Sequence, residues 1–200
     1  MTEIIFVRHG TSVNNEEDRW NSSRENDKGL TEAGLEEARL LAQRLKQEKL
    51  EAIYCSPFPR ALQTAQEINA FHGLEIIVDE RLRERNGGVL DGLTKQDGRE
   101  KYAREHEEYA KNKAYYRFPG AETHCEVRDR AKQFIETAKK HAGTVLAVTH
   151  EAVVFGALAA VFDDFSFIYK NAPRASLTRV KLGSKPVLES FADDSHLRMK

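Results

Sequence analysis

The chain is 200 residues long, with 31 Lys and Arg against 32 Asp and Glu and a formal net charge of −1. That length can bury a substantial core in one domain over residues 1–200. The balanced charge argues against a general binder of nucleic acid or of membrane surfaces, although a local basic pocket remains compatible with it.

The two cysteines, Cys55 and Cys125, lie far apart without paired spacing. Neither a disulfide framework nor a zinc site is expected, and the thiols are read as reduced, in a cytoplasmic setting. Met1 leads almost directly into an apolar run, so no signal peptide is expected. The longest uncharged apolar stretch, Ala152 to Phe162, is too short for a bilayer and fits a buried helix.

In chain order, Ile4 to Val7 predicts a strand buried on both faces, stopping at Arg8-His9-Gly10. Leu35, Ala38, Leu41, Ala42 and Leu45 recur at helical spacing between Leu30 and Leu50, with Thr31 as N-cap. Residues 51–56 predict a second strand. Ser56 is expected to cap the next helix, with Pro57 at its first position and Gly73 as its stop. Residues 74–79 predict a third strand.

Residues 80–122 have a different texture: a Gly-rich loop, then a charged, weakly apolar helical pattern from Arg99 to Phe118. We read 85–122 as a small helical covering insertion. Thr123 to Glu126 forms a capping box for a helix running to about His141. Residues 144–149 are the most apolar strand, the helix 152–162 follows, and two late strands form a hairpin across Gly183 to Pro186. Strands alternating with helices predict an α/β fold with a mostly parallel sheet.

Chemistry collects where three of these strands end: at Arg8-His9, at Ser56 with Arg60 just beyond, and at His150. In an open α/β sheet, ligands sit at the carboxyl ends of the strands. Two Arg and two His converging there, beside a helix N-terminus, favour an anion with phosphate geometry. Arginines are poor neighbours for a metal, so no metal or cofactor is expected. A neutral imidazole among arginines is a nucleophile toward a phosphoryl group. The leaving oxygen then needs a proton, which Glu84 in the Gly-rich loop could supply before activating water. Cys55 reads as core, and His72, His106, His124, His141 and His196 as surface or structural, with His124 set apart because it flanks the covering segment.

Arg8-His9-Gly10, "SPFPRALQTA", Glu84 before a glycine loop and "VLAVTHEA", in that order, resemble the histidine phosphatase superfamily, the phosphoglycerate-mutase-like group. The resemblance implies a doubly wound, three-layer α/β sandwich and metal-independent hydrolysis of a phosphomonoester. His9 would be the phosphorylated nucleophile and Glu84 the general acid and base, while Arg8, Arg60 and His150 would bind the phosphoryl group. Ser12 and Asn15 would stand where the family has a hydroxyl residue and a phosphate-binding asparagine. Glu151 takes the place of the usual glycine after the second histidine.

Two other readings follow from the same motifs. "LRERNGGVLDGLTKQ" is similar to the mutase version, in which Arg85 and Lys95 would touch a substrate carboxylate. The mutases' paired arginines are missing from the covering segment, where Arg117 and Arg128 are the candidates. "PGAETHCEVRDR" resembles the phosphatases, with Glu122 and Thr123 at the matching positions. A mutase must exclude water from its intermediate, which a short charged cover does poorly, so hydrolysis is favoured. A non-catalytic phospho-ligand sensor is the third reading, motivated by Glu151. Expected partners are small phosphomonoesters such as sugar phosphates, α-ribazole phosphate, phosphoserine or nucleotide monophosphates, with no nucleic acid and no membrane.

Overall fold

The computed structural model describes residues 2–198. Six strands form one sheet: β1 (Thr2–Arg8), β2 (Leu50–Cys55), β3 (Ile76–Val78), β4 (Thr144–Thr149), β5 (Leu177–Leu182) and β6 (Val187–Asp193). The helices are α1 (Val13–Glu16), α2 (Glu32–Leu45), α3 (Pro59–Asn69), α4 (Lys95–Lys101), α5 (Ala103–Lys111), α6 (His124–Ala138) and α7 (Glu151–Phe162). The sheet order is β3-β2-β4-β1-β5-β6. The four strands from β3 to β1 run parallel, and the late hairpin β5-β6 adds to β1 antiparallel.

The period-two pattern of the strands divides the core. Ile5, Val7, Ile53, Leu146 and Val148 face Leu41, Leu45, Ala61 and Ile68 of α2 and α3. Ile4, Phe6, Tyr54, Val145 and Ala147 face Val127, Phe134, Val153 and Leu158 of α6 and α7. Helices on both faces make the three-layer, doubly wound sandwich. Because α7 is buried nearly all round, its sequence shows no polar stripe.

Register then places the site. Arg8 lies opposite Thr149, and Val148 lies between Val7 and Cys55. The residues that follow, His9, His150 and Ser56, therefore leave the sheet at one level. This is also where the strand order reverses, since β4 inserts between β1 and β2.

Several boundaries differ from expectation. The third strand keeps only Ile76–Val78 of its six expected residues. Phe58, not Ser56, is the N-cap of α3, and Pro59 is its first residue. Proline disfavours helical geometry in the residue before it, so Phe58 stays extended and delays the helix. The charged segment breaks at Tyr102 into α4 and α5. The bend lets both Tyr102 and Tyr109 pack against Leu90 and Phe118.

Gly10 and Gly34 bring the end of β1 against the start of α2. A Cβ on Gly10 would lie 2.5 Å from the Gly34 carbonyl oxygen, and one on Gly34 would overlap the Thr11 carbonyl. Thr11 is further tied to α2 by two hydrogen bonds to Glu37. Gly34→Ala is expected to cost about 2 kcal/mol or more through this overlap. A urea midpoint equal to that of the unsubstituted chain would contradict it.

Candidate active site

The centre of the site is one guanidinium. Arg60, in the first turn of α3, is 3% exposed. Its Nε donates to His9 Nε2 at 3.0 Å, and one terminal nitrogen, Nη2, meets His150 Nδ1 at 3.0 Å. A guanidinium only donates, so both of those imidazole nitrogens are unprotonated acceptors. On the far sides of the rings, His9 Nδ1 donates to the Gly10 carbonyl at 2.7 Å and His150 Nε2 to Ser56 Oγ at 2.7 Å. These partners assign both tautomers. Burial, and then Arg60, hold the pKa of each imidazole well below its ordinary value of 6.5.

Arg60 is itself fixed from behind. Its Nη1 pairs with Asp27 at 2.6 Å, and Nη2 also donates to the Asn21 carbonyl at 3.1 Å. The carboxylate of Asp27 is fully buried. Thr64, one turn along α3, donates to the Arg60 carbonyl and accepts from the backbone of Gly10. Neither Asp27 nor Thr64 was visible as a site residue in the sequence. An Asp before Lys-Gly reads as a generic turn, and only the fold brings it to Arg60.

Arg8 lies beside this pair. One terminal nitrogen donates to Glu151 at 2.9 Å and to the Ala172 carbonyl. Glu151 also accepts from Ala172 N at 3.2 Å. The carboxylate at the usual glycine position is thus neutralised by Arg8 and tied to the loop after α7. Ser12 and Asn15 reach the cleft wall, where they form the capping box of α1. Ala152, in the first turn of α7, lines the same cleft, so a helix amino end faces it.

Glu84 enters from the loop after β3. Its Oε2 is 3.8 Å from His150 Nδ1, and its Oε1 accepts from Arg85 N at 2.7 Å. Two anchors set the loop. Thr149 at the end of β4 donates to the Leu82 carbonyl at 2.7 Å. Glu122 accepts both terminal nitrogens of Arg83 at 2.6 and 2.8 Å, Arg130 Nε at 3.1 Å and Asn86 N at 2.9 Å. These donors outweigh burial and hold the Glu122 carboxyl at about 2.

The cleft has a volume of about 370 Å³. His9, Glu84, Arg8, Ser12, Asn15, Arg60, Arg85 and Lys95 line it, and His150 is buried immediately behind. Three expected specificity residues lie elsewhere. Arg117 turns to Glu126 and the Ala121 carbonyl on the surface. Glu122 is the loop anchor just described, and Thr123 caps α6. Lys113, Lys170, Arg174 and Tyr109 line the cleft without having been singled out for it, and so does His124, which had been set apart only for flanking the covering segment. Their spacing in sequence follows no pattern that would group them. Among the described residues, no set of three or more His, Cys, Asp or Glu is arranged to hold a metal, and no helix is long and apolar enough to cross a membrane.

The model of the histidine phosphatase superfamily (branch 1) matches residues 4–193. The chain belongs to the histidine phosphatase superfamily. Among its relatives, phosphoserine phosphatase 1 of Hydrogenobacter thermophilus is 34% identical over 152 residues, covering 75% of this chain and 71% of that protein. The metal-independent phosphoserine phosphatase of Arabidopsis thaliana is 34% identical over 203 residues, covering 98% and 84%. The solved structure of Bacillus stearothermophilus YhfR superposes with a TM-score of 0.89 at 29% identity, covering 98% of this chain and all of that one. The chain is a phosphatase of this superfamily.

Two outcomes follow from the buried histidine–arginine cluster. Asp27→Ala leaves Arg60 buried without a counter-charge and is expected to cost about 3 kcal/mol or more, read as a lowered urea midpoint. An unchanged midpoint would remove Asp27 from its supporting role. The second concerns acid. Below the ordinary imidazole pKa of 6.5, the unfolded chain takes up protons that folded His9 and His150 refuse. Stability is therefore expected to fall as pH drops from about 6.5 to about 5, with a shallower slope in His9→Gln. An equal slope in both proteins would contradict the assignment.

Proposed function

We propose that the chain hydrolyses a small phosphomonoester through a phosphohistidine intermediate on His9, with Glu84 as general acid and then general base. One observation carries this reading: His9 Nδ1–H is held by the Gly10 carbonyl, so Nε2 is the basic nitrogen and faces the cleft's arginine. An imidazole fixed in this tautomer and kept neutral is ready to attack phosphorus without first losing a proton.

In the first step His9 Nε2 bonds to phosphorus and the ester P–O bond breaks. Glu84 gives its proton to the departing alcohol oxygen. Arg60 transfers its N–H bonds from the imidazoles to the phosphoryl oxygens, with Arg8 and the α7 amino end adding positive potential. Water then attacks the phosphorus, Glu84 takes its proton, and the N–P bond breaks to release inorganic phosphate. Neither step calls for a metal or a cofactor. His150, within 3.8 Å of Glu84 and hydrogen-bonded to Arg60, keeps these two groups in register.

Hydrolysis fits better than mutase chemistry. The two arginines that could have replaced the mutase pair both face the surface, Arg117 on Glu126 and Arg128 on Asp129 at 2.7 Å. A sensor without turnover loses its motive once Glu151 is paired with Arg8. We take residues 85–122 as the cover of the site, whose small core is Leu90, Phe118 and Ala121. The relatives named for phosphoserine make it the first substrate to try.

Purified protein is expected to hydrolyse p-nitrophenyl phosphate and phosphoserine with chelator present, and His9→Ala to abolish both. Full activity in His9→Ala would overturn the nucleophile assignment. Glu84→Gln is expected to slow phosphoserine by about a hundredfold or more, and p-nitrophenyl phosphate less, because nitrophenolate leaves without a proton. Equal slowing of the two substrates would take the leaving-group proton away from Glu84.

A further inference from the structure

The floor of the cleft carries less net charge than its arginines suggest. Arg60 is matched by Asp27 and Arg8 by Glu151, while burial and Arg60 keep His9 and His150 neutral. By formal charge these groups sum to nothing, yet a phosphomonoester arrives near neutral pH largely as a dianion. Arg19 and Lys95, further out, are matched by Glu17 and Asp18. Arg85, Lys113, Lys170 and Arg174 line the cleft without an ion pair among the described residues. Arg85 and Lys113 bear on His124 and Lys170 on Asp164, whereas Arg174 is carried on a loop bonded to His9 itself.

That loop is tied down on both sides of Arg174. Before it, Ala172 N donates to Glu151 at 3.2 Å and the Ala172 carbonyl accepts from Arg8. After it, Ala175 N donates to the His9 carbonyl at 3.1 Å, and the Ser176 carbonyl accepts from Arg8 N at 3.0 Å. Between these ties Ser176 N donates to the Pro173 carbonyl at 3.2 Å, closing a turn with Arg174 and Ala175 at its centre. Ala175 is buried with a φ of 54°, a left-handed conformation that persists in a residue with a Cβ only where the surroundings impose it. The guanidinium so placed is not satisfied by the protein: Arg174 Nε is buried with no hydrogen-bond partner. Burial, then Arg60 and Arg8, and then Arg174 lower the pKa of His9, so the charge of Arg174 is felt at the nucleophile. An arginine fork with an unpaired buried edge, beside an anion site short of charge, is a donor for phosphoryl oxygens.

Resting on the reading of His9 as the phosphoryl site, we propose that Arg174 binds the phosphoryl group directly and supplies the positive charge that Glu151 offsets at Arg8. Glu151 is then a positioning residue with two effects. It holds the Arg174 loop through Ala172 N, and it neutralises Arg8. The two residues form one exchange: a carboxylate at the start of α7 takes charge from the anion site, and an arginine on the loop it anchors restores it.

Calorimetry with inorganic phosphate reads this without turnover. Arg174→Met is expected to weaken phosphate binding about tenfold or more, and Arg174→Lys, which keeps the charge, about threefold or less. Glu151→Gln removes the carboxylate charge but keeps an acceptor for Ala172 N. In that background Arg174→Met is expected to cost only about threefold or less, because Arg8 is no longer offset. Unchanged affinity in Arg174→Met, or the same loss with and without the Glu151 charge, would overturn the proposal. So would a loss in Arg174→Lys equal to that in Arg174→Met, which would mark a packing role. Should the urea midpoint show that Arg174→Met folds poorly, Arg174→Gln takes its place in the same comparisons. Hydrolysis of p-nitrophenyl phosphate by the unsubstituted protein, and its loss in His9→Ala, report the His9 reading separately, so failure there is distinguishable from failure here.

Discussion

The site depends on one buried guanidinium with two imidazoles in front of it and a carboxylate behind. Arg60 can face His9 and His150 only if both are neutral, and it can be buried at all only because Asp27 is buried with it. A cation enclosed in this way is costly without its counter-charge. Its presence then fixes the protonation of everything it touches. The tautomers of His9 and His150 and the way they face each other follow from a single side chain in the first turn of α3.

The rest of the fold delivers groups to that point. Register between β1, β4 and β2 brings His9, His150 and Ser56 to one level. The close contact of Gly10 with Gly34 pins the turn after β1 against α2. Glu84 arrives by a different route, on a loop whose shape is set by the Arg83–Glu122–Arg130 cluster and by Thr149. The proposed nucleophile thus stands at a strand end, while the loop of the proposed acid is held by ion pairs to a Glu122 carboxyl that burial cannot keep from falling to about 2.

Much of this was legible in the sequence because it obeys local rules. Alternating strands and helices, the Thr31 and Thr123 caps and the late hairpin were read directly, and so were the polar residues that end the three parallel strands. What escaped had non-local causes. Ser56 looked like a cap, but Pro59 holds Phe58 extended and frees the serine for His150. Asp27 sits in an ordinary turn and gains its role only through Arg60, 33 residues on. Glu122 matched a family position and proved to be the anchor of the Glu84 loop rather than a cleft residue. Lys113 lies in a segment without pattern, and His124, though inside a legible capping box, meets Tyr109 only through the fold. Glu151, which breaks the family pattern, is paired with Arg8.

The most direct test of this account is the protonation of the two buried imidazoles, read by long-range ¹H–¹⁵N NMR of the histidine rings. His9 is expected to show a protonated Nδ1 and a bare Nε2, and His150 the reverse, with both patterns holding from neutral pH down to about pH 5. An imidazolium signal from either ring in that range, or a protonated His9 Nε2, would contradict it.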